Sequence, residues 1–402
     1  MSDNIINVPP NWSDPVVERL EWLTDVLPGF NTNEQRIRLR HNPRRTFSYN
    51  FAVTGRAAQR LRMKLHEKSG SGMWLPDWTD PRQLVNDYPI GSTSVELDDI
   101  AGITGDSTDS GVTFPGTWLI FWRSSTYYEV HRIVYVTQYN QSIGLDSALT
   151  LAWSAGDRVF TLCQGVMLPP IRFTEHTTNV ATGSITFACQ ADIDRNFGWN
   201  VSLDQFQNMD VWDDQPNRRE AFQSDWKRDF SVIDFDTGIY RAFDRSAFEN
   251  INHRCTYSMP DVAAVRRFRG FLFRRNGKLE PFWSVFSTQD MTLRFDIGGG
   301  DNSILIEDIG YTAAFANGNP AGAVYLKTID GTRYYMTVQS VATSTNQEEI
   351  TFSETFGQAI AKADVKLLSF LYQMRLNHDQ IELSHIAPGI AESQLTLVSG
   401  KL

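Results

Sequence analysis

Two stretches of the chain carry a helical hydrophobic rhythm, and most of the remainder alternates as strands do. From Arg56 to Lys68 the apolar residues Ala57, Ala58, Leu61 and Leu65 share one helical face, with Gly70 as a C-terminal stop. The pattern returns with Val262, Val265, Phe268 and Leu272 before Gly277. Between and after them lie short runs rich in Thr, Val, Ile and aromatics: GTWLIFW, TYYEVHRIVYV and SIGLDSALTL, then AVYLKTI, RYYMTVQSV and EEITFSETF. In IDGTRYY, Asp330-Gly331 between apolar runs predicts a hairpin. VVERLEWLTDVL fits a helix through Val16, Leu20, Leu23 and Leu27 and also tolerates an extended reading. Strand is preferred because SVIDFDTG (231–238), in the matching place before the second helix, reads as strand then turn. Residues 196–228, with Trp199, Trp212 and Trp226, read as a loop-rich connector with aromatic anchors.

The two helices belong to a longer repeat, at an offset of about 207–210 residues. Thr46-Phe47-Ser48-Tyr49 meets Cys255-Thr256-Tyr257-Ser258, and Ala57, Arg60, Leu61 and Leu65 meet Ala264, Arg267, Phe268 and Leu272. Trp74 meets Trp283, VELDDI meets ILIEDI, Tyr127-Tyr128 meets Tyr334-Tyr335, and His176 meets His385. The expected fold is therefore mainly β: two duplicated β-sandwich or barrel domains, 45–188 and 254–398, each with one packed helix. A small inserted barrel is expected at about 91–165 and again at about 300–372. Segment 1–44 leads into the first domain, and 189–253 connects to and leads into the second.

With 402 residues, 41% hydrophobic and 21% charged, the composition is that of a globular chain, and no apolar run approaches the ~20 residues of a membrane helix. A net charge of −10 argues against a general nucleic-acid binder. Cys163, Cys189 and Cys255 lack CxxC spacing and imply neither a zinc knuckle nor a disulfide framework, and the first residues carry no basic-then-apolar leader, so synthesis in a reducing cytoplasm is expected.

Candidate chemistry is sparse. Nucleotide-loop, zinc-helix and nucleophile-elbow patterns are absent, the histidines lack i,i+4 spacing, and Asp98-Asp99 and Asp213-Asp214 would point to opposite strand faces. Neither an enzyme nor a cofactor is expected. Trp74 and Trp283, matched beside the helices, are candidate core anchors rather than sugar platforms. One charged feature occurs in both halves: Arg56, Arg60 and Lys64 flank the first helix, and Arg266, Arg267 and Arg269 the second. These are either solvated faces or candidate interface residues for an acidic partner surface.

EWLTDVLPGFNTNEQRIRLRHNPRRTFSY, the helix and Trp-Pro-x-Trp stretch of Arg56 to Trp78, and RDFSVIDFDTGIYRAFDRS together resemble tail-tip proteins of long-tailed bacteriophages, of the distal-tail and baseplate-hub kind. The resemblance implies a structural virion protein, assembled in the host cytoplasm. It implies a ring that joins the tail tube protein to the hub or tail fibres and surrounds a channel for DNA and the tape-measure protein. A distal tail protein usually carries one such domain in a hexamer. Two domains per chain leave open a trimer with pseudo-sixfold symmetry or a hexamer. A receptor- or carbohydrate-binding tail module is the alternative, with Trp212 and Trp226 as its loop residues.

Overall fold

The computed structural model of the chain describes residues 4–399 apart from 29–33, 69–71, 106, 110–111, 115, 191–201, 220, 229, 237, 239, 245–249, 287 and 317–321. Its first half opens with β1 (Val16–Glu21), the hairpin β2 (Thr24–Pro28) and β3 (Glu34–Arg38), and β4 (Arg44–Thr54). Helix α1 (Gly55–Lys68) and β5 (Met73–Pro76) follow. A run of shorter strands comes next: β6 (Arg82–Gln83), β7 (Ser94–Glu96), β8 (Ser107–Asp109), β9 (Val112–Phe114), β10 (Trp118–Ser124), β11 (Tyr127–Thr137) and β12 (Ser142–Leu145). The long β13 (Arg158–Met167), β14 (Arg172–Thr177) and β15 (Val180–Cys189) close the half.

The second half begins with β16 (Gln205–Phe206), β17 (Met209–Trp212), β18 (Gln223–Lys227), the hairpin β19 (Phe230–Asp234) and β20 (Tyr240–Asp244), and β21 (Asn250–Met259). Helix α2 (Val262–Arg275), β22 (Phe282–Val285), β23 (Ser303–Glu307), the short α3 (Tyr311–Ala316), β24 (Ala323–Thr328), β25 (Arg333–Ser344) and β26 (Gln347–Phe352) come next. It ends with β27 (Val365–Leu376), β28 (Gln380–Ala387) and β29 (Ile390–Ser399).

The halves share one connectivity. β14, β15, β4 and β1 lie side by side in the first, and β28, β29, β21 and β18 repeat that order in the second. α1 packs on β4 and β15 as α2 packs on β21 and β29. In each half the long strand, β13 or β27, leaves this sheet and enters a small barrel, where it pairs with β10 or β24. The first barrel closes through the bridge Leu84–Leu97 and the second through Leu293–Ile306. Each barrel has its own apolar core, around Phe121 and Trp153 in one and Ile306 and Phe352 in the other.

The repeat reaches further than the sequence suggested. The lead strand β1 occupies the place of β18, the hairpin β2–β3 the place of β19–β20, and Ile5 runs parallel to Trp74 as Val211 does to Trp283. The connector expected at 196–228 thus contributes three strands. Trp212 is buried at 1% exposure, so it is not a loop residue, while Trp199 lies outside the described residues.

Pairing also corrects two alignments. Ala181 and Ala391 hold matching places, and they face Val53 and Met259, so the offset between β4 and β21 is one that sets Tyr49 with Cys255 and Phe51 with Tyr257. The alignment of Phe47 with Thr256 fails because it puts a buried side chain against a half-exposed one. By the same register His385 matches Glu175, not His176. His176 is exposed and bonded to Thr182, while His385 is fully buried. The second half carries an additional helix, α3, because buried Glu348 accepts the amides of Ile309, Tyr311 and Thr312 and so caps a turn that the first half lacks. The stop expected at Gly70 lies outside the described residues; α2 ends at Asn276 and Gly277, both with positive φ.

Candidate functional site

β1 is the hinge of the architecture. It pairs antiparallel with β4 of its own half on one side and with β28 of the other half on the other. One sheet therefore runs from β14 across β1 to β18. Alternation in β1 puts Val16, Glu18 and Leu20 on the buried face, so a carboxylate sits in an apolar row. Only partners on neighbouring elements make that tolerable.

Those partners come from both halves. Arg45 of β4 donates from Nε to Glu18 Oε1 at 2.7 Å and from Nη2 to Asp77 Oδ2 at 2.7 Å. Arg269 of α2 donates from Nε at 3.0 Å and Nη2 at 2.5 Å to Glu18 Oε2, and from Nη2 to Thr79 Oγ1 at 2.8 Å. His385 of β28 lies with Nε2 2.9 Å from the same Oε2. One turn earlier, Arg266 donates to Asp80 Oδ1 at 2.7 and 2.9 Å and also bonds Asp99, while Arg82 lies 3.2 Å from Asp80. Glu18, Asp77, Asp80 and Asp99 thus face Arg45, Arg82, Arg266 and Arg269, and the formal charges cancel.

Burial by itself would raise the pKa of Glu18, but the attraction of Arg269 and Arg45, with the His385 hydrogen bond, outweighs it and holds the carboxyl well below its ordinary value. Burial pushes His385 the other way, below an ordinary imidazole, so it is neutral at pH 7. Because ionised Glu18 can only accept, the proton of neutral His385 is on Nε2. The cluster locks the halves in one register. The Cys163 thiol lies at its edge, 3.6 Å from Arg45 Nη1.

The two basic ridges expected around the helices prove unlike. Arg56 and Arg60 are exposed and Lys64, half-buried, donates to Ile5 O at 2.5 Å. On the second helix, Arg266 and Arg269 are neither a solvated face nor an outward contact: they are 6% and 0% exposed and neutralised by carboxylates of the first half. Arg267 is half-buried, over the Trp212 ring and beside Asp214 at 3.2 Å. The reason is that α2 is wedged between its own sheet and the loop Asp77–Arg82, whereas α1 has no such neighbour among the described residues. The candidate anchors also differ. Trp283 is 4% exposed and donates from Nε1 to Phe206 O at 3.1 Å, while its counterpart Trp74 is half-buried beside Trp118.

Sequence reasoning missed Glu18 and Arg45, and it singled out His385 only as the supposed match of His176. A signal was present: Val16-x-Glu18-x-Leu20 places an acid in the inward phase of a strand, and Arg45 sits in the inward phase of β4.

Beyond the joint, β14 pairs only with β15 and β18 only with β21 among the described residues, so the shared sheet has two open edges. The face of this sheet away from the helices carries Thr46, Ser48, Asn50, Asn252, Thr256 and Ser258, small and polar. Among its charges Arg19 and Glu382 pair at 2.7 Å, while Arg254 stands exposed on it. Among the described residues no group of three or more His, Cys, Asp or Glu is placed to hold a metal ion, and no helix is long and apolar enough to cross a membrane. No protein-family model and no curated protein matches the chain.

Proposed function

We propose that the chain is a structural component of the tail tip of a long-tailed bacteriophage, assembled in the host cytoplasm. Copies of it form a ring that connects the tail tube to the hub or fibres and surrounds the channel for DNA and the tape-measure protein. The observation that carries this reading is the shared sheet: two like halves joined edge to edge through β1 and β28, with a further edge free at each end. A module that already adds a like module at its edge is built for repetition, and repetition with a constant rotation closes a ring. The face away from the helices, rich in Thr, Ser and Asn, suits a channel wall in a chain whose net charge of −10 disfavours binding of a passing polyanion. Burial of Trp212 removes one of the two tryptophans on which a carbohydrate-binding module would rely.

Cryo-electron microscopy of assembled tails tests the proposal. Class averages should place the chain in a ring at the tip, either three chains with pseudo-sixfold symmetry or six. A single copy beside the axis, or at the end of a fibre, would refute it.

A further inference from the structure

The pairing of β1 with β28 has a vacant counterpart at the ends of the sheet. β18 holds in the second half the place of β1, and β14 holds in the first half the place of β28. From these matched places we infer that β18 of one chain pairs antiparallel with β14 of a second copy, in the register that β1 and β28 have within the chain. The inference rests on the ring reading above and assigns its interface.

The register follows from the pairings within the chain. Leu20 faces Arg45 and Trp226 faces Ile251, while the offset that matches Val53 with Met259 matches Arg45 with Ile251. Trp226 therefore matches Leu20, and Asp225 matches Arg19. Thr174 faces Thr182 and Ser384 faces Glu392, so Thr174 matches Ser384, and two residues back Arg172 matches Glu382. Within the chain Arg19 faces Glu382, Val17 faces Ser384 and Leu20 faces Ile381. Between chains these become Asp225 opposite Arg172, Gln223 opposite Thr174, and Trp226 opposite Ile171 of the neighbouring copy.

Three observations favour that partner. The ion pair Arg19–Glu382 returns as Asp225–Arg172 with both signs exchanged, so attraction is kept. The exchange also rejects wrong joints: β1 against β14 would set Arg19 beside Arg172, and β18 against β28 would set Asp225 beside Glu382. Second, all five residues of β18 are exposed, Trp226 at 61%, an unusual state for a tryptophan on a strand edge. Third, a receptacle exists. Between α1 and β14 an open groove of about 550 Å³ is lined by Arg62, Leu65, Met167, Ile171 and Phe173. The matching space between α2 and β28 is filled by Leu20 and Trp22, packed with Phe268, Leu272, Ile381 and Leu383. Trp226 stands where Leu20 stands and is the side chain placed to enter the empty groove of the next copy.

The test uses the full-length chain. Gln223→Cys and Thr174→Cys in one chain should give, under mild oxidation, a ladder of covalent multimers ending at the ring. Either cysteine alone should give none, with native Cys163, Cys189 and Cys255 present throughout. Asp225→Arg alone and Arg172→Asp alone should each weaken association on the order of tenfold per joint, and the two together should restore it. Trp226→Ser should weaken it without unfolding the chain, as circular dichroism would record. Rings that form while the cysteine pair stays unlinked and the double reversal fails to rescue would overturn this pairing and leave the ring reading standing. A chain that stays monomeric by mass at every concentration, and in isolated tails, would overturn both.

Discussion

Removing the carboxylate of Glu18 should cost more stability than removing any exposed carboxylate of the molecule. Glu18→Ala leaves Arg45 and Arg269, 3% and 0% exposed at the side chain, facing a gap where both found their shared acceptor. Breaking a buried pair from one side costs about 3–5 kcal/mol, because the surviving charge stays desolvated. Asp77 remains 2.7 Å from Arg45, which keeps the loss within that range instead of doubling it. Glu18→Gln retains an acceptor and should fall between Glu18→Ala and wild type. The control is Glu382→Ala on the opposite face of the same joint. Its ion pair with Arg19 is exposed at 47% and 45%, and its loss should cost below about 1 kcal/mol. Urea unfolding followed by far-ultraviolet circular dichroism gives the differences, and amide exchange should locate the first opening at β1 and β28. A Glu18→Ala chain within about 1 kcal/mol of wild type, or no more affected than Glu382→Ala, would refute the claim that this cluster holds the halves together.

Acid should weaken the same joint. The folded pKa of His385 is depressed below its ordinary 6.5, so its contribution is full above that pH and declines as pH falls toward the folded value. The folded pKa of Glu18 is depressed below 4.5, so its contribution is full above that value and is lost as pH falls further. Both signs agree, and stability measured against pH should start to drop just below 6.5 and steepen below 4.5. A His385→Gln chain should show a smaller first step, the remainder coming from His253, whose pKa burial also lowers; an unchanged profile would contradict the assignment. Trp283→Ala should cost about 3–5 kcal/mol through cavity formation, and Trp74→Ala clearly less because its indole is only half-buried. Thermal unfolding separates them, and equal losses would contradict the difference in packing.

Much of this fold could be read in advance because duplication writes each element twice. The helix periodicities of α1 and α2, the hairpin at Asp330-Gly331 and the paired barrels all correspond to patterns that local chemistry imposes. The register of β4 against β21 was misread by three residues, an odd shift that exchanges the two faces, since Thr, Ser and Tyr in both strands fit either phase until the cross-strand partners fix it. The joint was illegible for another reason. Arg266 and Arg269 look like the polar flank of an amphipathic helix, and nothing local distinguishes a flank facing water from one facing Asp80 and Glu18, which lie 186 and 251 residues away along the chain. Trp226 poses the converse difficulty: composition marks it as an anchor, yet the fold leaves it 61% exposed.

If the proposed pairing of β18 with β14 holds, the strand β1 gives the chain one joint that forms as it folds and leaves one that forms only on meeting another copy. In a ring of such chains every second joint is intramolecular, so the two halves meet at an effective concentration set by the covalent link and not by the cell. Half of the edges are matched before any collision, and the number of encounters needed for closure is halved. The two kinds of joint also differ in chemistry, Glu18 in one and Ser224 in the matching place of the other. A ring of these chains is therefore a polygon with alternating hinges, one sealed by buried charge and one held by surface pairing. Any opening of the ring would begin at the second kind, at the junctions between chains.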